Sequence, residues 1–242
     1  SASPSWTAWG ARSIWGTRSI SPHPVTPLIS QPVLLHGFWR SLATYRVRIA
    51  LNLKGVAVPE AMVDLDAGDQ HAPGFRAMNP MGAVPALVLD DGTVLTQSLA
   101  ILEWIEETYP APALLPSGAA VRARVRALCA ITAADTHPLV VPRVQGYLAR
   151  EFGAGDAARQ AWAAHWFTLG LQAYEAQVGA APFCAGDAPG MADACLASHV
   201  AGAERFKANL QPFPAVRRIH AACMALPAFA DAHPLRQPGA PA

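Results

Sequence analysis

Prolines at positions 110, 112 and 116 divide this chain into two unlike parts. Before them, short apolar runs bounded by turn residues alternate with stretches of helical periodicity, the pattern of strands joined by helices. After them the strand signals stop. A chain of this kind can hold its sheet only in the first part, so the second part must bury its apolar residues between helices alone.

In the first part, Pro32 to Gly37 reads as a short buried strand. Thr44 to Lys54 reads as a helix with Val47, Ile49, Ala50, Leu51 and Leu53 turned inward and Gly55 just past its end. Val58 to Leu65 is a second apolar run, and Gly74 to Met78 is at most a helical turn. Ala86 to Leu89 is a third strand, and Thr93 to Leu95 a fourth across the Asp90-Asp91-Gly92 turn, which makes that pair antiparallel. The order predicts a mixed sheet with helices on its faces. Beyond the prolines, Ala-rich periodic sequence predicts helices near 119–150, 156–178, 190–206 and 214–224, with a short one near 227–232. In Gly190-Met191-Ala192-Asp193 the aspartate is placed to return to the backbone N–H at Gly190, as in a capping box with glycine in place of the usual serine. The predicted class is α/β plus all-α, with domains at 32–109 and 119–242 joined by a linker at 110–118.

Composition excludes several kinds of partner. With 242 residues, 52% hydrophobic and 14% charged, the chain can bury two modest cores. A net charge of +1 leaves no broad basic surface for nucleic acid or membrane, so any anion recognition must be local. Nowhere do roughly eighteen apolar residues run together, so no spanning helix is predicted. Cys129, Cys184, Cys195 and Cys223 form no C-x-x-C pair and have no histidine at ligand spacing, which predicts buried thiols in a reducing compartment and no metal site. Residues 1–31 are Ser-rich, carry Trp6, Trp9, Trp15, Arg12 and Arg18, and contain no acid. They read as a disordered extension or an organellar targeting segment and are set aside from the fold.

Residues 79–108 carry the most chemistry. Val84-Pro85 stands just before the third strand, where a residue without an N–H cannot join a sheet ladder, and a deliberate bend, cis or trans, is implied. Gln97-Ser98 then opens an amphipathic helix, so free N–H groups and a hydroxyl face outward together, an arrangement that holds a carboxylate. Ser98 also reads as an ordinary cap, and Pro85 as an ordinary strand-start proline. These readings coexist, because capping and binding use the same groups. No G-x-S-x-G, P-loop, H-E-x-x-H or G-x-G-x-x-G string is present.

Several strings in register resemble the glutathione transferase superfamily, and within it the zeta class with its maleylacetoacetate and maleylpyruvate isomerases. They are Phe38-Trp39-Arg40-Ser41 followed by Tyr45-Arg46-Val47-Arg48-Ile49-Ala50-Leu51, then Asn79-Pro80 with Val84-Pro85, Gln97-Ser98-Leu99-Ala100-Ile101, Leu114-Leu115-Pro116, Met191-Ala192-Asp193, Ala203-Glu204-Arg205-Phe206-Lys207, and His233-Pro234 with Gln237-Pro238. The resemblance spans about residues 33 to 239. It implies a thioredoxin-like glutathione-binding domain followed by a helical substrate-side domain, a homodimer, a cytoplasmic setting (mitochondrial if residues 1–31 are a targeting segment) and a place in aromatic amino acid catabolism.

The implied activity is glutathione-dependent cis–trans isomerisation of maleylacetoacetate to fumarylacetoacetate, by thiolate addition, bond rotation and elimination. Maleylpyruvate isomerisation, general glutathione transfer and a non-catalytic binding module are the alternatives. A free cysteine thiol has a pKa of about 8.5, so the site must favour the anion. Ser41, between the first strand and the helix, can supply an O–H, and the helix N-terminus a positive dipole end. A serine there is equally an N-cap, and Thr44 is a second candidate donor. By resemblance, Val84 offers its backbone to glutathione beside Pro85, while Gln97 and Ser98 receive its γ-glutamyl carboxylate. Arg40 and Arg205, with Arg143 as a third candidate, would hold a dicarboxylate substrate. His137 reads as a packing histidine. Two departures stand out: Leu42-Ala43 replaces the usual Ser-Cys, and Val140-Val141 replaces amide side chains, which predicts one missing contact to glutathione.

Overall fold

The structure is a computed structural model and describes residues 31–241. Apart from Gln31, the extension expected over residues 1–31 lies outside the described residues. Strand β1 (Pro32–Gly37) pairs in parallel with β2 (Glu60–Met62) and antiparallel with β3 (Ala86–Leu89), which pairs antiparallel with β4 (Val94–Thr96). The sheet order is therefore β2-β1-β3-β4. Leu35 faces Leu87 across the central pair, and both are almost wholly buried.

The second apolar run, expected from Val58 to Leu65, pairs over only three residues. Its end is set by Asp64, whose Oδ1 accepts the N–H groups of Asp66 at 2.8 Å and Ala67 at 3.2 Å. Those groups are thereby taken up by an Asx turn and not by a ladder. Helix α1 (Leu42–Lys54) crosses from β1 to β2 and starts two residues before the position expected, because Ser41 caps it: Ser41 Oγ accepts the Thr44 N–H at 3.1 Å. It ends on Gly55 at φ 67°, with the Val56 N–H returning to the Leu51 carbonyl and the Gly55 N–H to that of Asn52, a Schellman stop that needs a left-handed residue. Helix α2 (Pro73–Met78) is longer than the single turn expected, and α3 (Ser98–Thr108) follows β4.

After the prolines come only helices: α4 (Ala119–Ala130), α5 (Pro142–Phe152), α6 (Asp156–Gln177), α7 (Met191–Arg205), α8 (Pro214–Met224) and α9 (Pro227–Ala230). The single helix expected over 119–150 is broken. Residues Ile131–Thr136 widen into a π-helical turn and His137–Leu139 tighten into a 3₁₀ turn before α5 begins. The cause is local: Thr136 Oγ1 donates back to the Ile131 carbonyl at 2.8 Å, and Pro138 and Pro142 lack the N–H that would continue the ladder. This break turns α5 away from the core, and none of its residues is buried.

Helix α7 is the buried axis of the helical part, lying against α1, α4 and α6. It starts at Met191, and Asp193 in its first turn accepts the Gly190 N–H at 2.9 Å and the Cys184 N–H at 2.8 Å, so one half of the expected capping box is present and the glycine contributes only its backbone. Gly202 lets α7 approach α1: a Cβ there would stand 2.6 Å from Leu42 Cδ1 and 2.3 Å from the Phe167 ring. The linker is stapled by a buried ion pair. Lys54 Nζ reaches Glu106 at 2.7 Å and the Pro112 carbonyl at 2.6 Å, while Glu106 accepts the N–H groups of Leu114 and Leu115. All four cysteines are buried and unpaired. No described helix is long and apolar enough to cross a membrane.

Candidate active site

The packing of α7 on α1 leaves a cavity of about 900 Å³ between the two parts of the chain. One wall comes from the β1–α1 turn, the loop before β3 and the segment near His71; the other comes from the broken helix, α5, the first turn of α6 and the end of α7. Ser41, Arg40, Val84, Arg143 and Arg205 all line it. Pro85, Gln97 and Ser98 do not.

Ser41 is placed by its role as a cap. Its Oγ accepts the Thr44 N–H, so its own O–H remains free to donate into the cavity beside the N-terminus of α1. Capping and thiol activation thus use opposite sides of one hydroxyl. Thr44 is fully buried and does not reach the cavity, and its Oγ1 has no partner. Leu42, which stands where a second serine was expected, packs in the core against α7, and no described cysteine lines the cavity.

Val84 precedes a cis peptide bond to Pro85, and its backbone N–H and C=O make no hydrogen bond among the described residues. The loop is held open by Asn79, whose Nδ2 donates to the Ala83 carbonyl at 2.6 Å and whose Oδ1 accepts the Met81 N–H at 3.2 Å. An unpaired backbone edge of this kind receives an extended peptide as an added strand.

At the start of α3, Gln97 adopts φ 68° and does not cap the helix, so the first-turn N–H groups stay free. This differs from the capping expected of Gln97-Ser98. Ser98 is the first helical residue, and its Oγ accepts from Arg46 Nη1 at 3.3 Å. Arg46 is buried to 1% exposure, and its Nε and Nη2 have no partner.

The guanidinium of Arg40 bonds the carboxylate of Asp66 and lies 5.1 Å from the Phe38 ring centroid. Arg205 ends α7 on the opposite wall. Partial burial lowers its pKa, the nearby Arg40 cation lowers it further, and Asp66 opposes both. Two cations, Arg40 and Arg205, therefore line one cavity, and Asp66 pairs with the first and offsets the second. Arg143 occupies the first turn of α5 and adds its charge near His137. Burial, then Arg46, His199 and Arg143, hold the His137 imidazole well below its usual pKa, so it stays neutral at pH 7.

Sequence reasoning missed part of the lining. Gln70 is buried, donates to the Leu65 carbonyl at 3.4 Å, and its Oε1 has no partner; His71 is its neighbour. Gly82, at φ 56°, permits this contact, because a Cβ there would stand 3.0 Å from the Gln70 carbonyl oxygen. Gln145, Arg159 and Gln160 were also missed. Nothing in their spacing separates them from ordinary polar helix residues. Val140 and Val141 line the cavity as apolar surface.

The Glutathione S-transferase, N-terminal domain, family matches residues 40–108. A maleylpyruvate isomerase from a Ralstonia species is 46% identical over 209 residues, which cover 84% of this chain and 98% of that protein. The crystal structure of a maleylacetoacetate isomerase from Methylobacterium extorquens AM1, with bound malonate and glutathione, superposes with a TM-score of 0.84 at 50% identity, covering 87% of this chain and all of that one (100%). The holo structure of a maleyl pyruvate isomerase, described as a bacterial glutathione S-transferase of the zeta class, also superposes with a TM-score of 0.84, at 44% identity, covering 86% of this chain and 100% of that one.

Proposed function

The chain belongs to the glutathione S-transferase family, in the zeta class of maleylacetoacetate and maleylpyruvate isomerases, and from that premise we propose that it is a glutathione-dependent cis–trans isomerase of maleylacetoacetate. One observation carries the reading: Ser41, with a free O–H at a helix N-terminus, shares a cavity with Arg40 and Arg205 from opposite walls.

The residues present fit a bound tripeptide thiol. The unpaired backbone of Val84 can pair with its cysteinyl segment while Pro85 fixes that edge, and the free N–H groups opening α3 at Gln97 and Ser98 suit its γ-glutamyl carboxylate. Glutathione, when bound, supplies the thiol whose reversible addition turns the cis double bond into a rotatable single bond. Ser41 donates its O–H toward the sulfur position, and the α1 dipole adds about half a positive charge, so the anion is favoured without a formal base. Arg40, Arg205 and Arg143 bind the substrate's carboxylates through planar forks, and their charge lies where negative charge develops on the conjugated carbonyl. Asp66 holds Arg40 in place until a substrate carboxylate replaces it. His137, being neutral, adds no charge and is left out of the chemistry.

The same reading extends to a homodimer, to a division of the chain at 32–109, 110–118 and 119–242, and to a cytoplasmic setting, the last supported by four unpaired buried thiols. Sedimentation of the purified chain tests the dimer. The test of function is direct: mix protein, glutathione and maleylacetoacetate or maleylpyruvate, and follow the absorbance of the cis enol. Glutathione-dependent loss is the expected result, and the ratio of the two rates names the substrate. No glutathione-dependent loss with either acid overturns the reading.

A further inference from the structure

The cavity lining includes residues of α5 and α6 that the isomerase reading does not use. Two donors there are buried and have no hydrogen-bond partner: Gln145 Nε2 and Arg159 Nε. Both side chains line the cavity, as do Gly146 and Gln160 beside them. Leaving a buried donor unpaired costs free energy, so an unpaired donor in a cavity wall calls for a reason. From this geometry we propose, on the basis of the isomerase reading, that Gln145 and Arg159 form a second carboxylate subsite that holds a carboxylate of the bound ligand.

The arrangement suits a carboxylate. Arg159 is anchored by Nη2 to Asp156, one helical turn away, which leaves its Nε uncommitted and its guanidinium fixed in orientation. Gln145 supplies an amide N–H without a second charge. A planar anion with two oxygens can accept both. Room exists for it, because a Cβ built on Gly146 would meet nothing within 4 Å.

The position of Gln145 also bears on the valines. Val141 is the extended N-cap of α5, and Gln145 lies four residues on, inside the helix. The wall lacks an amide at 140 and 141 but has one a turn further along, next to an arginine.

Glutathione and the acid substrate both end in carboxylates, and the test separates them. Glutathione and S-(1,2-dicarboxyethyl)glutathione are titrated by calorimetry into the wild type, Gln145→Leu, Arg159→Leu and Arg159→Lys, and the free proteins are melted in parallel. Removing a hydrogen bond to an anion should weaken binding roughly tenfold in each variant. Free Gln145→Leu should melt no lower than the wild type, since the lost group was unpaired. If the dicarboxyethyl compound alone weakens, the subsite holds the acid's carboxylate; if both ligands weaken alike, it holds glutathione's. Unchanged affinities overturn the subsite, as does a lower melting temperature with binding intact. These readouts do not depend on turnover: a protein that binds both ligands but isomerises nothing loses the isomerase reading and keeps the subsite.

Discussion

The two walls of the cavity recognise in different ways. The wall before the proline break offers one hydroxyl and one backbone edge, Ser41 and the unpaired edge at Val84, while the free N–H groups opening α3 lie outside the cavity lining. The wall after it offers side-chain donors: Arg143, Gln145, Arg159 and Arg205. Backbone groups are positioned by the fold and survive substitution of the residues that carry them, whereas a guanidinium exists only where the sequence keeps an arginine. The first wall is therefore suited to a ligand that never changes, and the second to one that can be exchanged by a few substitutions. Leu42 illustrates the point. A polar residue of the β1–α1 turn is replaced by one that packs against α7, and the cap, the helix start and the hydroxyl of Ser41 remain.

The largest expected effect tests the single side chain on which the first wall relies. Ser41→Ala should lower kcat by about 10²- to 10³-fold, the usual effect of removing one donor from a charge-stabilising site. Loss of the cap should cost only about 1 kcal/mol, read as a small drop in melting temperature. A fall in kcat of less than about threefold at saturating glutathione would reduce Ser41 to a cap and leave the first wall without a side-chain role. Next comes the opposite wall. Arg205→Ala should raise KM for the dicarboxylate by about 10- to 100-fold, the range for a lost hydrogen bond to a charged group. Conjugation of a neutral electrophile should change little. Equal losses in the two assays would mean that Arg205 supports the fold and that the walls do not divide the work.

The same division explains what could be read from sequence. The strands, α1 and the helices after the break follow from periodicity and punctuation, because burial imposes the pattern directly on the residues. The break at Ile131–Thr136 was not legible: it depends on a Thr136 hydroxyl turning back on its own helix and on two prolines whose combined effect is geometric. In the site, Ser41, Val84 and Arg205 stand in strings whose spacing carries meaning. Gln70, Gln145 and Arg159 do not, since a polar residue on a helix face looks the same whether it meets solvent or a cavity. The sequence groups Pro85, Gln97 and Ser98 with Val84, and they lie outside the cavity lining. Sequence adjacency at Val84-Pro85 did not make both residues part of one surface.

The walls meet through α1 and α7, and that contact is the next place to test them. Gly202→Ala adds a methyl group that would stand 2.6 Å from Leu42 Cδ1 and 2.3 Å from Phe167. On an exposed helix the change would be favourable by about 1 kcal/mol. Here overpacking should outweigh it and destabilise by about 1–3 kcal/mol, with α7 and Arg205 pushed away from Ser41. A lower melting temperature with a raised KM for the dicarboxylate is expected. An unchanged melting temperature would mean that the interface adapts and that the distance between the walls is not set by Gly202.

The smallest expected effect is a difference in acid sensitivity. Burial lowers the pKa of His199 and of His220 to about 4, and that of His137 well below its usual value, and all three lie in the helical part. In the unfolded chain each would titrate near 6.5. Below that value the unfolded state binds protons that the folded state refuses, so stability is present above pH 6.5 and falls as the pH drops toward 4. Between pH 7 and 6 the loss is small, roughly 0.5–1 kcal/mol per histidine. His36, in the sheet, is also lowered by burial, but it is one group against four, since burial and then Arg236 lower His233 as well. Hydrogen exchange at pH 7 and at pH 5.5 should therefore show α6, α7 and α8 losing protection before β1 and β3 do. His220→Gln, which removes one of these four groups, should flatten the dependence of melting temperature on pH by about a quarter of the helical part's share. If the sheet loses protection first, the helical wall is not the acid-labile one, and the contrast between the walls stops at recognition.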